Sequence, residues 1–492
     1  MPKPRRTARL ARMAAIGLTL ALAGCQTLGV DVYKPDVSPS ASPQTAERAG
    51  SADPRTKIGA SEHPRIVASY GGEYRDQRTE KLLARIIGKL TVVSENPQQA
   101  YRVTVLNSPA VNAFALPGGY VYVTRGLLAL ANDASEVAAV IAHEMGHVTG
   151  NHGIERRQRE REEALAERMA ASAMEKGLAA REELAQSKLR LAAFSRNQEL
   201  AADAIGVRML GEAGYDTYAA ARFLNSMDAY SRFSAVDPTS DQSLDFLSSH
   251  PNAPQRLELV KQHARAFGPE GTTEPGRDFY LDGIDGLLFG DSPQEGYVRG
   301  TAFLHPVLGI RFEVPSGFRI DNKADAVLAT GPDDLAVRFD GVSENSRRSL
   351  SDYMASGWVT GLIAGSIRET RLGGFEAATA RARADRWDFD ITIVKVDNRI
   401  YRFLTAAPLN SPHLEPTAAK LRDSFRKLTA GEAKSLQPLR IRIVTARARD
   451  TLTSMAAKMR GTDRKQELFQ LLNAIGPGAG IEPGRRYKIV TD

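Results

Sequence analysis

The chain has 492 residues, of which 42% are hydrophobic and 25% charged, an ordinary composition for a globular protein of two to four domains. Its single cysteine excludes any intramolecular disulfide. The formal charge of +7 falls to +2 without the five basic residues of the first 24 positions, so it gives no reason to expect nucleic-acid binding.

The first 25 residues have the composition of a secretion signal. Their basic residues precede an apolar stretch from Ala14 to Ala23, which is too short to cross a hydrocarbon core of about 30 Å. The sequence Leu-Ala-Gly-Cys that ends at Cys25 resembles a bacterial lipobox, which implies cleavage before Cys25 and lipidation of its side chain. In Gram-negative lipoproteins, Gln26 at the next position implies sorting to the outer membrane. We therefore expect a lipoprotein signal peptide over residues 1–24 and a periplasmic location.

A catalytic domain is predicted over residues 57–270. Residues 25–56 before it are poor in apolar side chains and contain prolines among serines, so we expect a flexible tether. A helical period follows between residues 59 and 90, and residues 101–106 alternate as a strand does. Two more strands are expected on either side of the turn at 117–119.

His143 and His147 lie on a helix that is predicted to begin near Asp133. Asp133 can cap this helix, and Glu136 three residues later completes a capping box. Two histidines one helical turn apart point the same way, and with Glu144 between them they form the pattern that binds zinc and holds a general base. The alternative is an ordinary core helix whose histidines are hydrogen bonded.

A second helix offers a third ligand. It follows a charged helical segment between 155 and 191, which we expect to cover the cleft as a solvated helix or, less simply, to join a coiled coil. Residues 195–198 resemble a capping box that opens the new helix at Glu199. Glu199 suits the third ligand position of the zinc, and Asp203 one turn later suits the support of a ligating histidine. The alternative is a pair of carboxylates on a solvated face.

Four ordered motifs together resemble a known family, and the match runs from about residue 59 to residue 265. They are Asn112–Gly119, Thr124–Leu128, His143–His147 and Glu199–Asp203. The pattern resembles the CaaX-prenyl-protease-type zinc metallopeptidases, which are gluzincins, and the lipobox indicates their periplasmic, outer-membrane lipoprotein branch. The resemblance implies one zinc ion per chain, bound by His143, His147 and Glu199. It also implies that Glu144 is the base and that Asp203 supports a ligand.

His250 has two candidate catalytic roles. The sequence His250-Pro251, followed by Arg256, resembles a segment that lies beside the active site in this family. His250 could stabilise the oxyanion or bind the zinc in a closed form, and the alternative is a turn histidine held by Pro251. His152 is expected to be a hydrogen-bonded neighbour rather than a ligand. Four other histidines have no partner spacing and receive no role: His63, His263, His305 and His413.

Two further units are expected, so the predicted fold class is α+β: a mainly helical zincin domain with a small sheet, then an α+β domain and a small βααβ domain. Residues 280–432 carry strand and helix patterns without a catalytic constellation, and their role is unknown. Residues 438–492 resemble a LysM peptidoglycan-binding module, although Arg449 stands where a glycine normally precedes the aspartate. From Arg440 onward, eleven basic residues stand against five acidic ones, and the alternative is a charged cap on the protease.

The sequence therefore predicts a zinc endopeptidase of the periplasm that cleaves unfolded or misassembled envelope proteins. Glu144 would take the proton from the attacking water and pass it to the leaving amine. Expected partners are polypeptide substrates, the outer membrane through the lipid on Cys25, and peptidoglycan through the C-terminal unit. Two alternatives stay open: a chaperone or adaptor for outer-membrane assembly that rarely cleaves, and a peptidoglycan-anchored structural protein.

Overall fold

The computed structural model describes residues 54–156, 158–162, 178–236, 250, 254–344 and 348–492. The expected signal peptide, Cys25 and the tether up to residue 53 lie outside these residues, as does much of the charged segment expected over the cleft. No helix of the described residues is long and apolar enough to cross a membrane. Helices and strands both build the chain, which agrees with the predicted α+β class.

The N-terminal elements place a small sheet between helices. They are α1 Pro54–Ser69, α2 Gln77–Val92, β1 Arg102–Leu106, β2 Ala113–Leu116 and β3 Tyr120–Thr124. The strand order is β1-β3-β2, with β1 parallel and β2 antiparallel to β3, so β2 lies at an edge of the sheet. The β2–β3 turn places Gly118 at φ 88°, and a Cβ there would lie 2.4 Å from the Cα of Thr56 in α1. The predicted pair of strands is confirmed, while α1 begins at Pro54, inside the expected tether.

The remaining helices of this region surround a central one. They are α3 Arg125–Leu130, α4 Ala134–Thr149, α5 Leu178–Glu212, α6 Ala219–Val236, α7 Pro254–Arg265 and α8 Arg277–Ile284. Helix α4 is the central helix, because every residue from Ala134 to Gly146 is buried. Asp133 caps it by accepting the Glu136 N–H at 2.8 Å. The predicted capping box is only half formed, since the Glu136 carboxylate accepts the N–H of Asn132 instead.

Helix α5 differs from the sequence prediction. It runs without a break from Leu178 to Glu212, so the helix start predicted at residues 195–198 is wrong. The segment before Ser195 is rich in Ala, Leu, Glu and Arg, which favour helix, and it holds neither glycine nor proline after Leu178. A pattern that resembles an N-terminal cap does not start a new helix inside such a segment.

The region after α8 is built from two antiparallel sheets. Its strands are β4 Tyr297–Arg299, β5 Ala302–His305, β6 Ile310–Glu313, β7 Arg319–Asn322, β8 Val327–Thr330, β9 Ala336–Ser343, β10 Arg368–Leu372, β11 Phe375–Ala384, β12 Trp387–Val396, β13 Arg399–Pro408 and β14 Arg426–Lys427. Its helices are α9 Leu350–Met354, α10 Leu414–Ser424 and α11 Ala430–Ser435. The strand orders are β14-β6-β5-β4 and β10-β11-β12-β13-β9-β8-β7. Phenylalanines from both sheets share one core with α10: Phe303, Phe312, Phe339, Phe403 and Phe425.

The last elements form a βααβ unit. They are β15 Arg440–Thr445, α12 Leu452–Ala456, α13 Lys465–Leu472 and β16 Arg486–Thr491, with β15 and β16 antiparallel. The element order is the one expected for residues 438–492. Met455, Phe469 and Tyr487 of this unit belong to the same hydrophobic core as Ile86 of α2 and Val137 of α4. The unit therefore packs directly on the helical region that carries the candidate site.

Candidate metal centre

Helix α4 presents two imidazoles to one point. His143 and His147 are one turn apart, and their Nε2 atoms lie 3.0 Å from each other. The apolar residues on the other sides of α4, among them Val137 and Ile141, are fully buried. This burial leaves the histidine row as the face of α4 that meets α5.

Helix α5 brings the carboxylate of Glu199 to the same point. Its two oxygens lie 3.5 Å from His143 Nε2 and 3.5 Å from His147 Nε2, and the side chain is 2% exposed. The helices approach closely where side chains are small: a Cβ on Gly146 would lie 3.1 Å from the Cα of Ala202. The two motifs that are 52 residues apart in sequence thus meet in one site.

The donor set fits a zinc ion. His143, His147, Glu199 and His250 each offer one ligand atom, and these atoms all lie within 4.8 Å of one another. Zinc bonds of about 2.1 Å in a tetrahedron put ligand atoms roughly 3.4 Å apart. The separations of 3.0–3.5 Å among the two α4 histidines and Glu199 are close to that value. Two imidazoles and a carboxylate are also ligands that zinc prefers.

The outer nitrogens of both histidines have partners. Asp203 Oδ1 lies 2.9 Å from His143 Nδ1, so the carboxylate fixes the tautomer that leaves Nε2 unprotonated toward the site. His152, in the segment after α4, places its Nδ1 2.9 Å from His147 Nδ1, so the two imidazoles are hydrogen bonded there. The expectation that His152 is a hydrogen-bonded neighbour agrees with this geometry.

Arg256 is the residue that the sequence reasoning did not assign. Its guanidinium donates two hydrogen bonds of 2.8 Å to the carboxylate of Asp203, lies 3.1 Å from Glu199, and donates at 3.3 Å to the carbonyl of His250. It is 4% exposed, and a buried arginine requires such partners. Its carboxylate partners lie more than 50 positions earlier in the chain, so no local sequence pattern indicated its role.

His250 faces the ligand group. Its Nδ1 lies 3.0 Å from Glu199 Oε2 and 3.3 Å from His143 Nε2, while its Nε2 lies 3.5 Å from Glu144 Oε1. The side chain is 8% exposed. This position is compatible with both predicted roles, since His250 reaches the metal ligands and the glutamate alike.

Glu144 is buried beside the ligands without ligating geometry. Its Oε1 atom accepts no hydrogen bond from the residues that the structure describes. Burial raises the pKa of the Glu144 carboxyl, and the charges of His250 and His143 oppose the shift. A carboxylate oxygen that accepts no hydrogen bond and belongs to a group with a raised pKa suits the acceptance of a proton from water.

The protonation states of His147 and Glu199 suit metal binding. Burial lowers the pKa of His147, with His143 acting in the same direction, so His147 is neutral. For Glu199, burial raises the pKa, but hydrogen bonds with His143 and His250 outweigh it and hold the carboxyl ionised. For His143, burial is likewise outweighed, here by Asp203 and Glu199, and the pKa rises to about 10. A metal ion would replace that proton.

The site is therefore a candidate zinc centre, in which two histidines and a glutamate from two helices surround a point beside a buried glutamate. Residues 77–264 match the family profile described as Peptidase family M48. The family match and the donor set support the predicted enzyme class, zinc metalloendopeptidase, and its cofactor.

Three curated proteins are similar to part of the chain. The mitochondrial metalloendopeptidase OMA1 of Schizosaccharomyces pombe is 27% identical over 43% of this chain and 61% of its own length. The OMA1 protein of Arabidopsis thaliana is 34% identical over 33% of this chain and 31% of its own. The beta-barrel assembly-enhancing protease of Escherichia coli is 31% identical over 36% and 37%, respectively. The chain therefore spans about a third to three fifths of the length of these relatives.

A crystal structure from Bacteroides thetaiotaomicron aligns at 11% identity with a TM-score of 0.24, over 39% of this chain and 87% of that chain. The likeness is too small to support an argument about the fold.

Proposed function

We propose that this protein is a zinc endopeptidase of the bacterial periplasm, anchored to the outer membrane, which hydrolyses peptide bonds of unfolded or misassembled envelope proteins. The observation that carries the proposal is the meeting of His143, His147 and Glu199 beside the unbonded carboxylate oxygen of Glu144. One of the relatives is named a beta-barrel assembly-enhancing protease, which supports an envelope substrate.

Each residue of the site has one task in this reaction. His143, His147 and Glu199 would hold the zinc, which would supply polarisation of the scissile carbonyl and a lowered pKa of water. Glu144 accepts the proton of the attacking water and donates it to the leaving amine. Asp203 keeps the imidazole of His143 in the required tautomer, and His152 lies beside the Nδ1 of His147. Arg256 balances the charge of Asp203 and Glu199.

The edge strand β2 offers a way to align the substrate. Ala113 to Leu116 pair with β3 on one side, and no described strand pairs with them on the other. An extended polypeptide can add to such an edge through main-chain hydrogen bonds. A substrate bound in this way has to be extended, which favours unfolded over folded protein.

The proposal also specifies a compartment and a membrane anchor. The lipobox that ends at Cys25 supports lipidation and outer-membrane sorting, whereas the relatives named mitochondrial show that the peptidase match alone does not specify a compartment. Replacing Cys25 by serine is expected to leave the precursor unlipidated. Globomycin-insensitive processing of the wild-type precursor would contradict the lipobox.

Residues 438–492 have two candidate roles, a peptidoglycan-binding module and a cap on the peptidase, and each has support. The βααβ order supports the peptidoglycan-binding module of the proposal. The burial of Met455, Phe469 and Tyr487 in the peptidase core supports the alternative of a cap. Peptidoglycan binding is therefore proposed as an activity of the exposed loops of this unit, to be measured by pull-down with the full chain.

The experiment that tests the function compares Glu144→Gln with the wild type in casein cleavage at matched zinc content. We expect the variant to bind one zinc per chain and to lose cleavage. Glu80→Gln, on the exposed face of α2, is the matched control and should cleave as the wild type does. If Glu144→Gln still cleaves, another residue is the base. If it loses cleavage yet supports outer-membrane assembly, the chaperone alternative is correct.

A further inference from the structure

Lys488 of strand β16 is buried in a place where a lysine is costly. Its side chain is 0% exposed, and its Nζ donates to the carbonyls of Ala129, Leu130 and Ala131 at 2.9, 3.2 and 2.6 Å. These carbonyls lie at the C-terminal end of α3, where the last groups of a helix have no partner within it and carry negative partial charge. The three N–H donors of the Lys488 ammonium match these three carbonyl acceptors, so Lys488 caps the C-terminal end of α3.

The backbone of Lys488 is held as firmly as its side chain. Asn473, also buried, accepts the N–H of Lys488 at 2.8 Å and donates to its carbonyl at 2.9 Å. Arg277 adds a second link, because it donates at 3.0 Å to the carbonyl of Asn132 and at 2.9 Å to that of Arg486. The strand that carries Lys488 is therefore linked to the α3–α4 junction at two places, directly through Lys488 and indirectly through Arg277 of α8.

The junction leads directly into the helix that carries the metal ligands. Only Asn132 and the cap residue Asp133 separate Ala131, an acceptor of Lys488, from the first turn of α4. From Ala134 to His143 the helix rises by about 14 Å, at 1.5 Å per residue. A hydrogen-bonded helix moves as a rigid rod over such a length, so a shift of its start also shifts the two imidazoles.

Other contacts of the βααβ unit also lead to the start of α4. Arg464 donates to the carbonyl of Phe233 in α6 at 2.7 Å, and its guanidinium lies 4.1 Å from the centre of the Phe233 ring. Helix α6 also carries Arg222, which lies 3.0 Å from the α4 cap Asp133. The βααβ unit thus supports the start of α4 directly at α3 and indirectly through α6.

We propose that residues 440–492 form a positioning element of the metal centre, with Lys488 as the positioning residue that fixes the start of α4. The inference rests on the proposed zinc peptidase, because the position it controls is that of His143 and His147. It also assigns this unit a task inside the catalytic domain that is independent of any glycan it binds.

The test uses the full-length chain with Lys488→Met. Lys458→Met, an exposed lysine of the same unit, is the matched control. Three quantities are compared below the melting transition of each protein: zinc affinity by chelator competition, kcat and KM on one peptide, and amide exchange over residues 131–142 in the zinc-free protein. We expect Lys488→Met to bind zinc up to about 10-fold more weakly. The loss should be smaller than the roughly 10- to 100-fold that follows removal of a group bonded to a ligand, because Lys488 acts on the ligands only through α4. Its kcat should fall with little change in KM, and exchange at the start of α4 should be faster.

Arg277→Gln is the second variant, because Arg277 is partly exposed and contacts the same junction. It should show the same three changes to a smaller degree. If Lys488→Met folds with the zinc affinity, kcat and α4 exchange of the wild type, Lys488 only stabilises the fold and the proposal is overturned. If Lys488→Met does not fold, Arg277→Gln decides by the same criteria. A wild type without zinc or cleavage would instead refute the proposed function, while the exchange measurement would still test the positioning of α4.

Discussion

Asp203 is shared between His143 and Arg256: one carboxylate oxygen lies 2.9 Å from the Nδ1 of His143, and both oxygens accept from the guanidinium at 2.8 Å. Burial raises the pKa of this carboxyl, but the hydrogen bonds of Arg256 and His143 outweigh it, and the pKa is lowered overall. Asp203 therefore stays ionised at neutral pH and can orient the imidazole there.

Replacing Asp203 by alanine should weaken zinc binding about 10- to 100-fold, because His143 then loses the partner that fixes its tautomer. Chelator competition measures the change. Asp228→Ala, which removes an exposed carboxylate from α6, is the control. An unchanged zinc affinity in Asp203→Ala would show that Asp203 does not support the ligand.

Replacing Glu199 by alanine should abolish stoichiometric zinc binding, because two histidines alone leave the metal without its third protein ligand. Elemental analysis of protein purified without added metal gives the content, with one zinc per chain expected for the wild type. Glu212→Ala alters an exposed glutamate of the same helix and should keep the metal. Zinc at full occupancy in Glu199→Ala would remove Glu199 from the ligand set.

Replacing His250 by alanine separates its two candidate roles. We expect basal proteolysis to rise, because His250 Nδ1 stands among the ligand atoms, within 3.3 Å of His143 Nε2, and so closes the site. A fall in kcat of roughly 10²- to 10³-fold would instead identify an oxyanion donor. The assay is peptide turnover at matched zinc content, with the exposed His263→Ala as control. Unchanged turnover would exclude both roles.

The region of two sheets should lose stability in mild acid because of His305. Burial lowers the pKa of His305 to about 4, below its usual value of 6.5, and its Nδ1 accepts the N–H of Leu308. The unfolded chain therefore binds the proton first, so stability is lost as the pH falls from about 6.5 to about 4. The loss for one such group is roughly 3 kcal/mol at pH 4.

His305→Asn should reduce this pH dependence, because the amide oxygen can accept the same N–H without titrating. Both tryptophans of the chain, Trp358 and Trp387, lie in this region, so denaturant unfolding followed by tryptophan fluorescence reports on it. His413→Asn, an exposed histidine of the same region, is the control. A pH dependence equal to that of the wild type would contradict the assignment to His305.

Local patterns in the sequence predicted the elements that carry the site. The four-residue spacing of His143 and His147 and the cap at Asp133 are properties of one helix, and both can be recognised without tertiary information. The strands on either side of Pro117 follow from a glycine turn between alternating residues. The predicted helix start at residues 195–198 is wrong, because a cap residue begins a helix only where the preceding chain is not itself helical.

Contacts between distant segments were beyond such patterns. Arg256 was quoted in the sequence without a role, because its two carboxylate partners lie more than 50 positions earlier. Lys488 reads as one of eleven basic residues of a charged unit until β16 is packed on α3, more than 350 positions away. The cost of burying a cation makes such residues informative once the fold is known, but sequence alone does not show which cations are buried.

The close approach of α4 and α5 limits how the metal site can adapt to ions of different size. Gly146 faces Ala202, and Gly206 faces the backbone of His143, so the two helices touch through main-chain atoms rather than through long side chains. Because main-chain atoms of α4 and α5 are already in contact, the two helices can move apart but cannot come closer. The centre should therefore adapt to ions with longer bonds than zinc and resist those that need shorter ones. A methyl group added at Gly146 would act as a wedge that shifts the site in the permitted direction.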